Sequence, residues 1–273
     1  QYADYAVWQR ERIEAGALKS ELAYWREKLS GAPPVLELPT DRTRPSAESL
    51  RAASCVVHIP EDAASSLRKL CVDEGVTAYM LLLAAFEALL QRYTGQEEIV
   101  LGVPVANREV AEVESLIGYF ANMVVMRTDL SGDPTFKELL SRVRDAALGA
   151  FAHQSVPLEV VAREVGLEPY LERGLLSRAA FSLMPAPGLG SNGTGLRPQL
   201  IRLDAGLTEV DLSLNLWETA EGFAGHLVYK TDLYDAATAS RIAGEFSALL
   251  KDAVTRPEQR LSALSPSPEG RRL

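Results

Sequence analysis

The sequence predicts an α/β fold, an α+β sandwich in which a mixed β-sheet is covered by helices. Three observations carry that prediction. Apolar runs of strand length, EIVLGVPV and NMVVMRTDL, are interleaved with segments whose apolar residues recur at helical spacing. Two alternating runs, DLSLNLW and FAGHLVYK, meet at Glu221-Gly222 in the pattern of an antiparallel hairpin, which a purely parallel, doubly wound sheet does not contain. A chain of 273 residues with 47% hydrophobic content also has enough apolar surface to bury a substantial core.

The elements follow in order. Residues Ala3 to Leu29 read as two helices broken at Gly16, and the connector GAPPVLELPTDRTRP then crosses a surface without regular structure to about Ser46. SCVVHI alternates as a strand, Pro60 and Glu61 open a helix, and Gly75 closes it. Thr77 is the expected N-cap of a helix from Ala78 to Tyr93, apolar on almost every face and stopped by Gly95. Asp133 with Pro134 is expected to start a helix whose Phe136, Leu139, Leu140, Val143, Ala147 and Phe151 form a core stripe. A short helix follows Pro157, a strand lies near Ala180 to Met184, and the loop PAPGLGSNGTGLRP leads to the hairpin. Asp235 caps a last helix carrying Ile242, Phe246, Leu249 and Leu250 on one side. Residues 1–255 therefore read as one unit, in which 1–50 are the N-terminal helices and connector. Residues 256–273 lack a hydrophobic period and read as a linker toward a following domain.

Composition excludes several functions. A formal charge of −9, with no Lys/Arg stripe interleaved with aromatics, argues against nucleic-acid binding. Cys55 and Cys71 are too few for a disulfide framework and read as structural thiols in a reducing compartment. The chain begins with Gln1, carries no basic-then-apolar leader, and its longest apolar run, around Leu81 to Leu90, is too short to span a bilayer; a cytoplasmic segment from inside a longer protein is expected, with no membrane partner.

Catalytic signatures are missing as well. His58, His153 and His226 lie on separate segments, and the offset between Cys55 and His58 sends them to opposite faces of a strand, so no metal site is expected. His226, facing away from Leu227 and Tyr229, is expected to be a solvated or edge histidine. Gly188, Gly190 and Gly193 spell GxGxxG but open no helix, and the Asn192-Gly193-Thr194 sequon matters only in a secreted protein. No GxSxG marks a nucleophile, and the expected set of catalytic residues within this chain is empty.

Six segments in register resemble one family, the condensation domains of nonribosomal peptide synthetases. Tyr2-Ala-Asp4-Tyr5-Ala6-Val-Trp8-Gln9 is similar to its YxDYAxWQ motif, and PTDRTRP (Pro39 to Pro45) to LPTDRPRP. LGVPVANRE, with Gly102, Pro104 and Arg108, resembles GTPxAGR; Ile117 to Arg127 resembles IGxFVNTxxxR; His153 to Glu159 resembles HQDxPFE; and Leu227 to Asp235 resembles LEYxTDLFD. Ser155 and Ala121 stand where the family usually has Asp and Val. ERGLLSRAAF keeps only Ser177 and Arg178 of RDxSRNPL, and the family's HHxxxDG, which bears its active-site histidine, is nowhere in the chain.

The resemblance implies a chloramphenicol-acetyltransferase-like lobe, the C-terminal half of a two-lobed condensation domain. The implied reaction is amide formation between thioesters tethered to carrier proteins. No cofactor is bound directly; substrates arrive on phosphopantetheine. Implied partners are the N-terminal lobe, donor and acceptor carrier proteins, and an adjacent adenylation domain. A noncatalytic docking platform and an acyltransferase using free acceptors are the alternatives.

Candidate tunnel-wall residues are Asn122, His153, Gln154, Gly102, Pro104 and Arg108. Asn122 either orients a substrate carbonyl or amine or caps its own turn. His153 and Gln154 suit a helix C-terminus as well as a substrate. Gly102 and Pro104 either shape backbone beside a pantetheine arm or merely bend a strand end. Arg108 meets a phosphate or, more commonly, an internal carboxylate. Tyr119 and Phe120 are expected in the core, and Trp8 and Trp25 in packing roles.

Overall fold

The computed structural model describes residues 1–33, 35–45, 49–172, 178–184 and 206–265. Within them six strands form one mixed sheet in the order β1-β6-β5-β4-β2-β3. The strands are β1 (Ala52–Pro60), β2 (Glu98–Val105), β3 (Asn122–Asp129), β4 (Ala179–Met184), β5 (Leu212–Thr219) and β6 (Gly222–Lys230). The expected hairpin is β5–β6, with Asn215 opposite His226; β4 runs parallel to both β5 and β2. β2 and β4 touch at a single bridge, Gly102 with Ala180. The mixed sheet read from the sequence is the sheet observed.

The helices are α1 (Tyr2–Glu14), α2 (Lys19–Leu29), α3 (Glu61–Glu74), α4 (Ala78–Thr94), α5 (Ala111–Glu114), α6 (Phe136–Ala152), α7 (Leu158–Glu164), α8 (Glu168–Glu172) and α9 (Ala236–Thr255). Helix α4 is the core element. Every residue from Met80 to Leu90 is buried, and Phe86 meets Phe246 of α9 edge-on at 6.3 Å and Phe181 of β4 at 6.2 Å. Helices α3, α6 and α9 pack around it over the sheet. The second face is served by shorter elements: Thr128 of β3 points to Glu87 of α4, whereas its neighbour Arg127 donates to the carbonyls of Lys28 and Ser30 at the end of α2. Alternation along β3 thus puts α2 opposite α4.

Several boundaries match the sequence and several do not. Thr77 Oγ accepts from Met80 N–H as expected of an N-cap. Asp133 and Pro134 do not begin α6; Thr135 does, in a capping box with Glu138, and Asp133 instead accepts from Ser262. Asp235 occupies the N-cap of α9, but its carboxylate pairs with Arg42, and Asp41 takes over the capping by accepting Asp235 N–H at 2.7 Å and Thr238 Oγ–H at 3.0 Å. Two motif segments, PTDRTRP and LVYKTDLYD, are therefore one structural joint.

His226 lies on an interior strand between β1 and β5, so it is not an edge residue; it is half-buried 5.4 Å from the Trp217 ring. Cys55 turns inward toward α9 while His58 is exposed on the opposite side. The sequence from Arg256, expected to be a linker, is docked as far as Ser265: Leu261 and Leu264 are buried, Phe136 N–H donates to Gln259 O, and Arg92 donates to the carbonyls of Leu261 and Leu264. The apolar pair is too short to register as a period. Residues 266–273, Ser46, Ser177 and the loop with Gly188, Gly190, Asn192, Gly193 and Thr194 lie outside the described residues.

Candidate functional site

Four of the motif segments converge at the end of the sheet where β2 stops and β3 starts. Helix α1 lies over the turn before β3 through aromatic contacts: Tyr2 meets Phe120 edge-on at 5.1 Å, and Tyr5 meets it at 4.7 Å. Gly118 is required there, because a Cβ at that position would overlap the Tyr2 ring. Phe120 is buried, as expected, but Tyr119 is 79% exposed and is not a core residue. The turn is held from Phe120 rather than from its neighbour, leaving the Tyr119 ring outside.

Asn107 and Arg108 build the other side of the turn. Asn107 has a φ of 51°, the left-handed region that Asn tolerates better than most residues, and it stands at the Gly position of the GTPxAGR-like segment. Arg108 meets neither a phosphate nor a carboxylate among the described residues; it donates to the carbonyls of Val113, Glu114 and Leu116 and stacks 4.2 Å over the Phe120 ring. The expectation of an internal carboxylate is corrected by that geometry: α5 is a single turn whose free carbonyls need donors.

Asn122 is fully engaged. Its Nδ2 donates to Gln154 O at 2.9 Å and Val156 O at 2.7 Å, and its Oδ1 accepts from the N–H groups of Met123 and Leu158. It staples the start of β3 to the segment between α6 and α7. Gln154 turns outward to Glu109 at 3.0 Å. The His153 ring stacks on Tyr24 at 4.2 Å, and its carbonyl accepts from Trp25 Nε1. Trp25 is a packing residue as expected; Trp8 is 39% exposed, with Arg12 stacked over it.

These elements enclose an open groove of about 410 Å³ lined by Tyr2, Tyr5, Gln9, Asn107, Tyr119, Phe120, Ala121, Asn122, Met123, Pro157, Leu158, Glu159, Glu209 and Val210. Of the six residues singled out from sequence, the structure brings Asn122 to this groove. Gly102 and Pro104 sit within β2, the latter exposed, and Arg108, His153 and Gln154 stand behind or beside the wall. Tyr5 and Gln9 were legible in principle, since their spacing of four puts them on one helix face. Glu209 and Val210, entering β5, carried no sequence signal.

The groove's chemistry is aromatic and polar. At Tyr5, half-burial pushes the hydroxyl pKa up, assisted by nearby Tyr2. None of the three histidines lines it. No group of His, Cys, Asp and Glu able to hold a metal occurs among the described residues. Burial pushes the Cys71 thiol up to about 11, which leaves it a packing residue. No described helix is long and apolar enough to cross a membrane.

Comparison with known proteins gives concordant relatives. The chain is 43% identical over 268 residues to one of the linear gramicidin synthase proteins of Brevibacillus parabrevis, covering 97% of this chain and 5% of that protein. It is 39% identical over 263 residues to malpinin synthetase of Mortierella alpina, covering 96% of this chain and 3% of the relative. Among solved structures, the X-domain from teicoplanin biosynthesis superposes with a TM-score of 0.89 at 28% identity, covering 97% of this chain and 62% of that one. The condensation domain of the monacolin K polyketide synthase MokA has the same fold, with a TM-score of 0.80 at 22% identity over 96% of this chain and 62% of that one. The chain thus spans a small fraction of the synthetases and under two thirds of either solved domain. With the Condensation domain model matching residues 1–272, the chain belongs to the condensation-domain family.

Proposed function

We propose that this chain is the C-terminal lobe of a condensation domain and supplies one wall of the channel in which a carrier-tethered amine attacks a carrier-tethered acyl thioester to form an amide. The groove carries this reading. Its volume of about 410 Å³ accommodates a thin flexible chain, its aromatic walls suit a pantetheine arm, and its Gln and Asn side chains offer neutral donors and acceptors. Attack by an amine needs a proton acceptor or a positioned imidazole and exclusion of water. The groove is open, and HHxxxDG is absent, so the lobe on its own is catalytically incomplete and works with an N-terminal lobe that closes over it. Donor and acceptor carrier proteins and an adenylation domain are its remaining partners.

A second reading is a noncatalytic docking platform. The likeness to the X-domain favours it, since one solved structure is a complex of that domain with OxyB, as does the loss of most of RDxSRNPL. A pantetheine thioester bearing a photoreactive acyl group separates the two. Under the channel reading, labelled peptides map to the rim residues Tyr2 and Tyr119; labelling that ignores the groove overturns it and leaves the platform.

A further inference from the structure

Tyr5 carries a further role that rests on the channel reading. Its hydroxyl oxygen accepts from Gln9 Nε2 at 3.2 Å and from Asn107 Nδ2 at 3.4 Å. A phenol oxygen has two lone pairs and one proton, so two amide donors fill its accepting capacity and leave its O–H to be donated. No acceptor for that proton occurs among the described residues. All three side chains line both the main groove and a small adjoining pocket of about 30 Å³, so the hydroxyl sits at the partition between them. The left-handed backbone at Asn107 and the helical spacing of Tyr5 and Gln9 fix the arrangement from two separate elements.

We propose that Tyr5 is a positioning residue: its O–H donates to a carbonyl oxygen of the pantetheine-borne chain and so sets how deeply that chain enters the groove. Substrate class follows from the chemistry. The donor is neutral, the groove it faces is lined by tyrosines, amides and two carboxylates, and in the adjoining pocket Arg12, stacked on Trp8, is offset by Glu109, which together favour an uncharged carbonyl over a carboxylate or phosphate.

The test uses S-acetyl-pantetheine as probe, titrated into the 273-residue chain and followed by NMR or calorimetry. Tyr5→Phe removes the donor and is expected to weaken binding about fivefold to tenfold. Because that variant also disturbs Gln9 and Asn107, fluorotyrosines are placed at position 5, at about pH 6 so that the phenol stays protonated. Fluorination makes the hydroxyl a better donor and a poorer acceptor. Affinity rising in the order Tyr, 3-fluoro-Tyr, 3,5-difluoro-Tyr supports the proposal. Affinity that is flat or falls along that series, with the probe still bound, overturns the role of Tyr5 and leaves the channel reading standing. Where the chain alone binds no probe, the same series is run in a two-lobed parent that contains it, and a parent that binds none overturns both.

Discussion

The face of the sheet under α4 and the end of the sheet where β2 stops and β3 starts are built on different principles. Over that face, α4 buries an unbroken apolar run against α3, α6 and α9, and its specification is volume and period. Over that end, α1 has no buried residue at all and is held by a few rings on Phe120 and by a hydrogen bond to Asn107. A surface of the second kind stays open and polar enough to take a ligand, while the first keeps the sheet rigid beneath it. The motif-bearing segments around the groove belong to the second kind, and two of the family's residues there act as staples: Asn122 and Arg108 hold backbone in place.

That contrast can be broken at several points. Phe246→Ala should cost the most, about 3–5 kcal/mol of stability in urea unfolding, because it opens a cavity beside Phe86; a loss below about 1 kcal/mol would mean that the α4–α9 core is loosely packed. Asn122→Ala strands two carbonyls and two N–H groups and should cost about 2–3 kcal/mol. Asn122→Asp, which cannot donate, should recover little of it.

Glu87 is the one acid in the buried run. Its Oε1 accepts from Thr128 at 3.0 Å, its Oε2 is without a partner among the described residues, and burial pushes its carboxyl up to about 8. In the unfolded chain Glu ionises near about 4.3, so across the window from there to about 8 unfolding releases a proton. Stability from this group is full below that window and declines through it, by at most about 1.4 kcal/mol per pH unit, then levels off. Glu87→Gln should flatten that part of the profile, measured as urea midpoints at several pH values; an unchanged slope would place the linkage elsewhere. Tyr119→Ala should have the smallest effect on folding, within about 0.5 kcal/mol, while weakening binding of an acyl-pantetheine probe.

What the sequence revealed follows the same division. Helix α4, the β5–β6 hairpin and the stop at Gly95 were legible because burial writes a period and turns write glycines. The docking of Leu261 and Leu264 was hidden because two apolar residues make no period. The groove was half legible. The resemblance pointed to the right turn at Ile117 to Asn122, yet it could not say that Asn122 faces backbone on all four hydrogen bonds, that Tyr119 faces out, or that Arg108 serves carbonyl oxygens. Those outcomes depend on contacts of Phe120 with Tyr2 and Arg108 and of Asn122 with residues 154–158, which join segments far apart in the chain and leave no local pattern. Glu209 entered the site only through the path of the chain into β5.

The central claim is that this lobe builds a channel wall and needs a second lobe for chemistry. It is tested most directly by supplying loaded donor and acceptor carrier proteins to this chain alone and to a two-lobed parent that contains it, and quantifying amide product by mass spectrometry. The expected result is amide from the two-lobed protein and none above the uncatalysed background from the chain alone. Turnover by the chain alone would contradict the claim.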